Sequence, residues 1–156
     1  MTFCIYTVGY GNLSISEFIQ ILKDNQIQVV VDVRSVPFSR RAFNSNGLEK
    51  HLADSEIGYM FKGSELGGLP KDPNLQTDNL PDYEKIRKTL PYQQGLSDLE
   101  CGIELGYRIV ILCACLHHKD CHRNKLIGKD LAEKDITVLH INKAGSIEAQ
   151  TSLDFL

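Results

Sequence analysis

The chain has 156 residues, 42% hydrophobic and 24% charged, the balance of one soluble domain able to bury a core without staples. Seventeen basic against twenty acidic residues leave a net charge of −3, which argues against a protein wrapped around nucleic acid by bulk charge and leaves room for a local basic patch. No stretch approaches the ~20 consecutive apolar residues of a membrane span, and Met1–Tyr10 lacks the basic start of a secretory signal. Five cysteines, an odd number gathered late in the chain, fit a reducing cytoplasm in which they are core, reactive or metal-binding.

In chain order, Phe3–Val8 reads as a strand ending in Gly9-Tyr10-Gly11. Ser14, three residues before Glu17, has the spacing of a capping box, and Phe18, Ile19, Ile21 and Leu22 supply an apolar helical face that stops near Asn25. Ile27–Val33 is almost continuously β-branched, as in a strand buried on both faces. Strand, helix and strand within about thirty residues make a βαβ unit and so a parallel sheet. A loop over Arg34–Asn46 leads to a short helix capped by Ser45 and running through Leu48 and Leu52, then to a strand at Ile57–Phe61. Pro70–Leu80 is a polar excursion. A helix is expected after Pro81 and another from Tyr92 to about Leu105, stopped by Gly106. Tyr107–Cys113 is a second buried strand, Asp120 caps a helix over Cys121–Lys134, and Ile136–Ile141 is the last strand. The tail after Asn142 carries no pattern. The whole of residues 1–156 is read as a single α/β domain with a largely parallel sheet of about five strands flanked by helices.

In such sheets ligands sit beyond the carboxyl ends of the strands, and here those ends hold Gly9-Tyr10-Gly11, Asp32-Val33-Arg34, Cys113-Ala114-Cys115 and His140. The stretch from Cys113 to Arg123 contains three cysteines and three histidines, His117, His118 and His122. Cysteines two apart on a strand share a side, and Cys121 at a helix start, beside His122 and Arg123, is placed to favour its thiolate. Two chemistries remain open. Cys113, Cys115, Cys121 and His122 suit a zinc-like ion, whereas Cys121 or Cys113 with His122 suits a reactive thiol; a core role for Cys113 alone is an even alternative.

Asp32 closes a buried strand, where a charge needs a partner, and Arg34, Arg40 and Arg41 on the following loop suit phosphate or carboxylate. The bland alternative is an internal Asp32–Arg34 ion pair. Gly9-Tyr10-Gly11 leads to a capped helix, where backbone amides could face an anion, and Gly67-Gly68 reads as a simple turn.

Together these blocks resemble the bacterial and archaeal proteins grouped as domain-of-unknown-function family 488. The resemblance rests on Thr7-Val-Gly9-Tyr10, Asp32-Val-Arg34-Ser-Val-Pro37-Phe-Ser39-Arg40, Leu66-Gly67-Gly68, Cys113-Ala, Cys121-His122-Arg123 and His140-Ile141, in family order over nearly the whole chain. It implies a cytosolic α/β domain with its polar motifs on one edge. Tyr10-Gly11 stands where the family shows His-Ser, and Cys115 where it shows Glu.

The expectation is an enzyme acting on a phosphate-bearing substrate, a nucleotide or nucleic acid. Arg34 and Arg40, helped by Arg123 and the Gly9-Tyr10 turn, would hold the anion. Asp32 would orient an arginine or act as general base, and Cys113, Cys121 and His122 would carry the chemistry. The rivals are a nucleic-acid-binding or adaptor module, and a metal- or redox-sensing protein built on the cysteine cluster.

Overall fold

Buried β-branched strands stack side by side because each has two apolar faces to cover. The computed structural model describes residues 2–39, 41–115 and 121–150. Five strands, β1 (Cys4–Gly9), β2 (Val29–Asp32), β3 (Gly58–Phe61), β6 (Ile109–Cys113) and β7 (Thr137–Ile141), pair in parallel, and β8 (Ile147–Ala149) adds an antiparallel edge on β7. The order is β3-β2-β6-β1-β7-β8, so the sheet has six strands where the sequence suggests about five. All three residues of β8 are exposed, and such a strand leaves no hydrophobic signal in the sequence. Within the excursion, β4 (Gln76–Thr77) and β5 (Leu80–Pro81) form a two-residue ribbon. Asp78 and Asn79 turn it at φ 54° and 63°, the left-handed pair that tight hairpins prefer.

Successive strand residues face opposite layers. Val30, Val110 and Leu112 join Phe18, Leu22, Leu48 and Leu52 on one side, under α1 (Ile15–Asp24) and α2 (Ser45–Asp54). Val31, Ile109 and Ile111 join Leu66, Tyr92, Leu96, Leu99 and Leu126 on the other. There they pack under α3 (Gly63–Leu66), α4 (Tyr83–Arg87), α5 (Leu90–Glu104) and α6 (Lys129–Ala132).

The capping box at Ser14 forms as expected, with Glu17 N–H donating to Ser14 Oγ at 3.1 Å and Ser14 N–H to Glu17 Oε1 at 3.0 Å. At α2 the cap position falls to Asn44 rather than Ser45, and its Oδ1 accepts from Ser39 N–H instead of from the helix. α5, capped by Thr89, starts at Leu90, two residues before the expected Tyr92, and Gly106 stands just past its end at φ 91°. The helix expected over Cys121–Lys134 is two pieces, a wider π-helical turn at Arg123–Gly128 and then α6; its expected cap, Asp120, lies outside the described residues. Among the described residues no helix is long and apolar enough to cross a membrane.

Candidate functional site

β1 and β6 are neighbours whose onward connections run to opposite sides of the sheet, which opens a crevice beyond their carboxyl ends. Gly9 is level with Cys113 there, and Asp32 with Leu112. After Cys113 the chain crosses over β1: Tyr10 N–H donates to Cys113 O at 3.3 Å and Gly11 N–H to Ala114 O at 3.0 Å. A β-carbon on Gly9 would stand 1.5 Å from Cys115 O, so only glycine permits the crossing. The amides expected to cradle an anion at Gly9-Tyr10-Gly11 are thus donated to this crossing chain. Tyr10 itself is stacked on Phe43, ring centroids 4.2 Å apart.

The crossing also takes Cys115 off the strand. β6 ends at Cys113, and Cys115 is exposed beyond it, so it is the loop and not the strand that brings its thiol to Cys113 and Cys121. The donors that do converge are Cys113 Sγ, Cys121 Sγ and a His122 ring nitrogen, all within 4.8 Å of one another. Cys121 Sγ is 3.2 Å from Cys113 Sγ, and His122 Nδ1 is 3.8 Å from Cys121 Sγ and 4.0 Å from Cys113 Sγ.

His122 is held from both sides. Its Nε2 lies 3.1 Å from Val33 O; a carbonyl only accepts, so Nε2 carries a proton, and Nδ1 faces the sulfurs, as a lone pair in the neutral ring and as a donor in the cationic one. Its other support is Gly68, where a β-carbon would come within 2.5 Å of His122 Cγ. The Gly67-Gly68 pair, read from sequence as a plain turn, is therefore the bed of a site residue.

The helix-start position of Cys121 is as expected, since its carbonyl accepts from Asn124 and Lys125 N–H at 3.0 and 2.9 Å. Its protonation is the reverse of the expectation. Cys121 donates its proton to Cys113, which with burial pushes the Cys121 thiol up. That same donated bond, reinforced by His122 and by Cys115 N–H, holds the Cys113 thiol down at about 3. Cys115, also hydrogen-bonded to Cys121, is lowered to about 7. Tyr83 is raised, by burial first and then by the three thiols it faces.

Asp32 and Arg34 realise the internal pair. Arg34 Nε and Nη2 donate to the two Asp32 oxygens at 2.9 and 2.7 Å, and Arg34 N–H to Oδ1 at 3.1 Å. Tyr59 OH donates to Asp32 Oδ2 at 2.7 Å. Arg34 Nη1 donates to Phe43 O at 2.7 Å and reaches Tyr10 OH at 3.3 Å. Arg34 is only 4% exposed and Asp32 fully enclosed, and the carboxylate orients the buried arginine. Arg123 is also buried. It donates to Thr7 Oγ1 at 2.9 Å and to Cys115 O at 3.2 Å, which fastens the crossing chain to β1. His140 sits beside Thr7, its Nδ1 2.5 Å from Thr7 Oγ1 and its Nε2 2.7 Å from Gln150 Oε1. It belongs to that buried chain of polar groups and not to the sulfur cluster. Arg40, His117 and His118 lie outside the described residues.

The cluster forms the floor of a cavity of about 440 Å³. Sequence reasoning names Tyr10 and Arg34 in its wall and misses Val36, Phe38, Leu69 and Tyr83. Their identities as exposed or half-exposed apolar residues say nothing until two distant loops are seen to meet.

A family model described as Domain of unknown function DUF488 matches residues 14–129, well over half of the chain. A 73-residue stretch is 36% identical to a protein of Corynebacterium kroppenstedtii named "Probable transcriptional regulatory protein", covering 46% of this chain and 26% of that one. The matched stretch thus spans about a quarter of the length of that relative. No solved structure matches the chain significantly.

Proposed function

This chain belongs to the DUF488 family, and we propose that it is a metal-dependent enzyme whose Cys113, Cys121 and His122 hold a zinc-class ion, with the fourth coordination position open to the cavity. The donor triangle carries the reading. A tetrahedral ion with ordinary bond lengths sets two sulfurs ~3.8 Å apart and each sulfur ~3.6 Å from the nitrogen. The separations here, 3.2, 3.8 and 4.0 Å, have that size and need only small shifts. A disulfide would need the sulfurs at ~2.05 Å, a larger closure. His122 is already oriented by Val33 O, the support that metal-bound imidazoles use. Three protein ligands facing a cavity are the pattern of a catalytic site, while a structural site closes with four. Such an ion would supply Lewis acidity and an activated water.

The phosphate-bearing substrate expected from the arginine loop has weaker support, because Arg34 and Arg123 are buried and engaged within the protein. Untagged protein purified without chelator should contain close to one equivalent of zinc or a similar ion by mass spectrometry. Cobalt(II) should give sulfur-to-metal charge-transfer bands that Cys113→Ser and His122→Ala abolish. Metal-free preparations that take up no cobalt would refute the reading.

A second reading, a regulator associated with nucleic acid, is favoured by the name of the Corynebacterium relative. Duplex DNA affinity that falls steeply with salt would support it; salt-independent or absent binding would remove it.

A further inference from the structure

We propose that the cavity above the Cys113–Cys121–His122 cluster takes an uncharged small molecule with an apolar, ring-sized body and one donor atom directed at the cluster. Only the donor end of this inference rests on the metal reading; the apolar body rests on the cavity wall. The volume, about 440 Å³, lies in the range of small-molecule sites, which combine apolar walls with a few placed polar groups.

Two loops supply the wall. Val36 and Phe38 follow β2 and are 54% and 73% exposed, and Leu69 follows α3 and is 67% exposed. Singly exposed apolar side chains are ordinary, but these three converge on one concavity from separate parts of the chain. Tyr10 and Tyr83 complete it, and the stacking of Tyr10 on Phe43 makes its side a fixed surface.

The charge pattern points the same way. Among the described lining residues Arg34 is the one side chain of Lys, Arg, Asp or Glu type. Its guanidinium is held by Asp32, Phe43 O and Tyr10 OH. Polar chemistry is therefore gathered at the floor, and the described wall residues offer an anionic ligand no released cation. A ligand that fits both is polar at one end and apolar along its length.

The experiment uses two probes that share a metal-binding head and differ in body, benzohydroxamate and acetohydroxamate. A third, benzyl alcohol, has the ring without the head. Affinities of the hydroxamates are read from the visible spectrum of the cobalt-loaded protein, and benzyl alcohol is followed on metal-free protein by saturation-transfer NMR. We expect benzohydroxamate to bind at least tenfold more tightly than acetohydroxamate. That ratio should fall toward one in the Phe38→Ser/Leu69→Ser variant, whose altered side chains are both exposed, so that the fold is kept. Benzyl alcohol should receive saturation in the unaltered protein and lose it in the variant. If neither hydroxamate binds while benzyl alcohol keeps its variant-sensitive signal, the metal reading fails and the apolar-body inference is supported. Equal affinities for the two hydroxamates, absence of a benzyl alcohol signal, or its displacement by inorganic phosphate would overturn the inference.

Discussion

Asp32→Asn separates a structural role for the Asp32–Arg34 pair from a catalytic one. The carboxylate is completely buried and accepts three bonds from Arg34 and one from Tyr59. The substitution keeps the shape and removes the charge, leaving a guanidinium that is 4% exposed without its counterion. Removing one partner of a buried pair typically costs about 3–5 kcal/mol, because the remaining charge is uncompensated. For a chain of this size, where each kcal/mol shifts Tm by about 2–4 °C, that is a fall of roughly 6–20 °C in Tm. Thermal unfolding at pH 7 by circular dichroism, checked by calorimetry for two-state behaviour, measures it. Asp32→Asn/Arg34→Met should recover most of the loss, since replacing both partners of a buried pair is often close to neutral. A fall below ~2 °C for the single variant would mean no more than about 1 kcal/mol. Asp32 would then not be holding Arg34, and its reading as a general base would return.

Gly68→Ala should weaken cobalt binding by about 10–100-fold, the range seen when the support of a metal-bound histidine is lost, because the new β-carbon would meet His122 Cγ at 2.5 Å; unchanged cobalt affinity would show that Gly68 does not position the ring. Gly9→Ala should destabilise by at least ~3 kcal/mol in urea unfolding, at the upper end for overpacking, since its β-carbon would meet the Cys115 carbonyl, which is backbone and has little freedom to yield; a loss under ~1 kcal/mol would mean the chain crosses elsewhere. In metal-free protein Cys115 should be alkylated first, ahead of Cys121, with a rate that is half-maximal near pH 7 and falls as its thiolate is lost below that value; peptide mass spectrometry reads the order. Labelling of Cys121 before Cys115 would contradict the proton arrangement within the cluster.

The parts of the fold legible in the sequence are those where one residue type has one energetic use. Val29–Asp32 and Ile109–Cys113 stand out because apolar runs rich in Val and Ile are tolerable only with both faces covered. The Ser14–Glu17 box marks α1 because both side chains act on amides three residues away. What stays hidden depends on partners distant in sequence. β8 is a strand because Leu139, His140 and Ile141 offer it an edge, and its own residues are all exposed. Asn44 displaces Ser45 at the start of α2 while bonded back to Ser39, an arrangement that belongs to the preceding loop.

The site divides along the same line. A cysteine- and histidine-rich segment announces soft donors, and the alternation of strands with helices places it at a carboxyl edge; both are properties of local sequence. The direction of a charge is not local. Arg34 carries the same charge whether it faces a cavity or, as here, Asp32 and the Phe43 carbonyl. The sulfurs show why counting local influences misleads. Cys121 does begin a helical turn, beside His122 and Arg123, and those influences favour a thiolate. Yet its sulfur lies 3.2 Å from Cys113, and two sulfurs that close cannot both hold a charge in a buried setting without strong repulsion. One must keep the proton and donate it. Cys113 also receives Cys115 N–H and faces His122, so the charge settles there and Cys121 becomes the donor. The hydrogen bond from Cys121 is the largest of these influences; Cys115 N–H adds a smaller one, and it comes into reach because Gly9 lets the chain cross β1 after the strand ends. A glycine on the first strand thus bears, through one of several contacts, on where the proton sits among cysteines more than a hundred residues later.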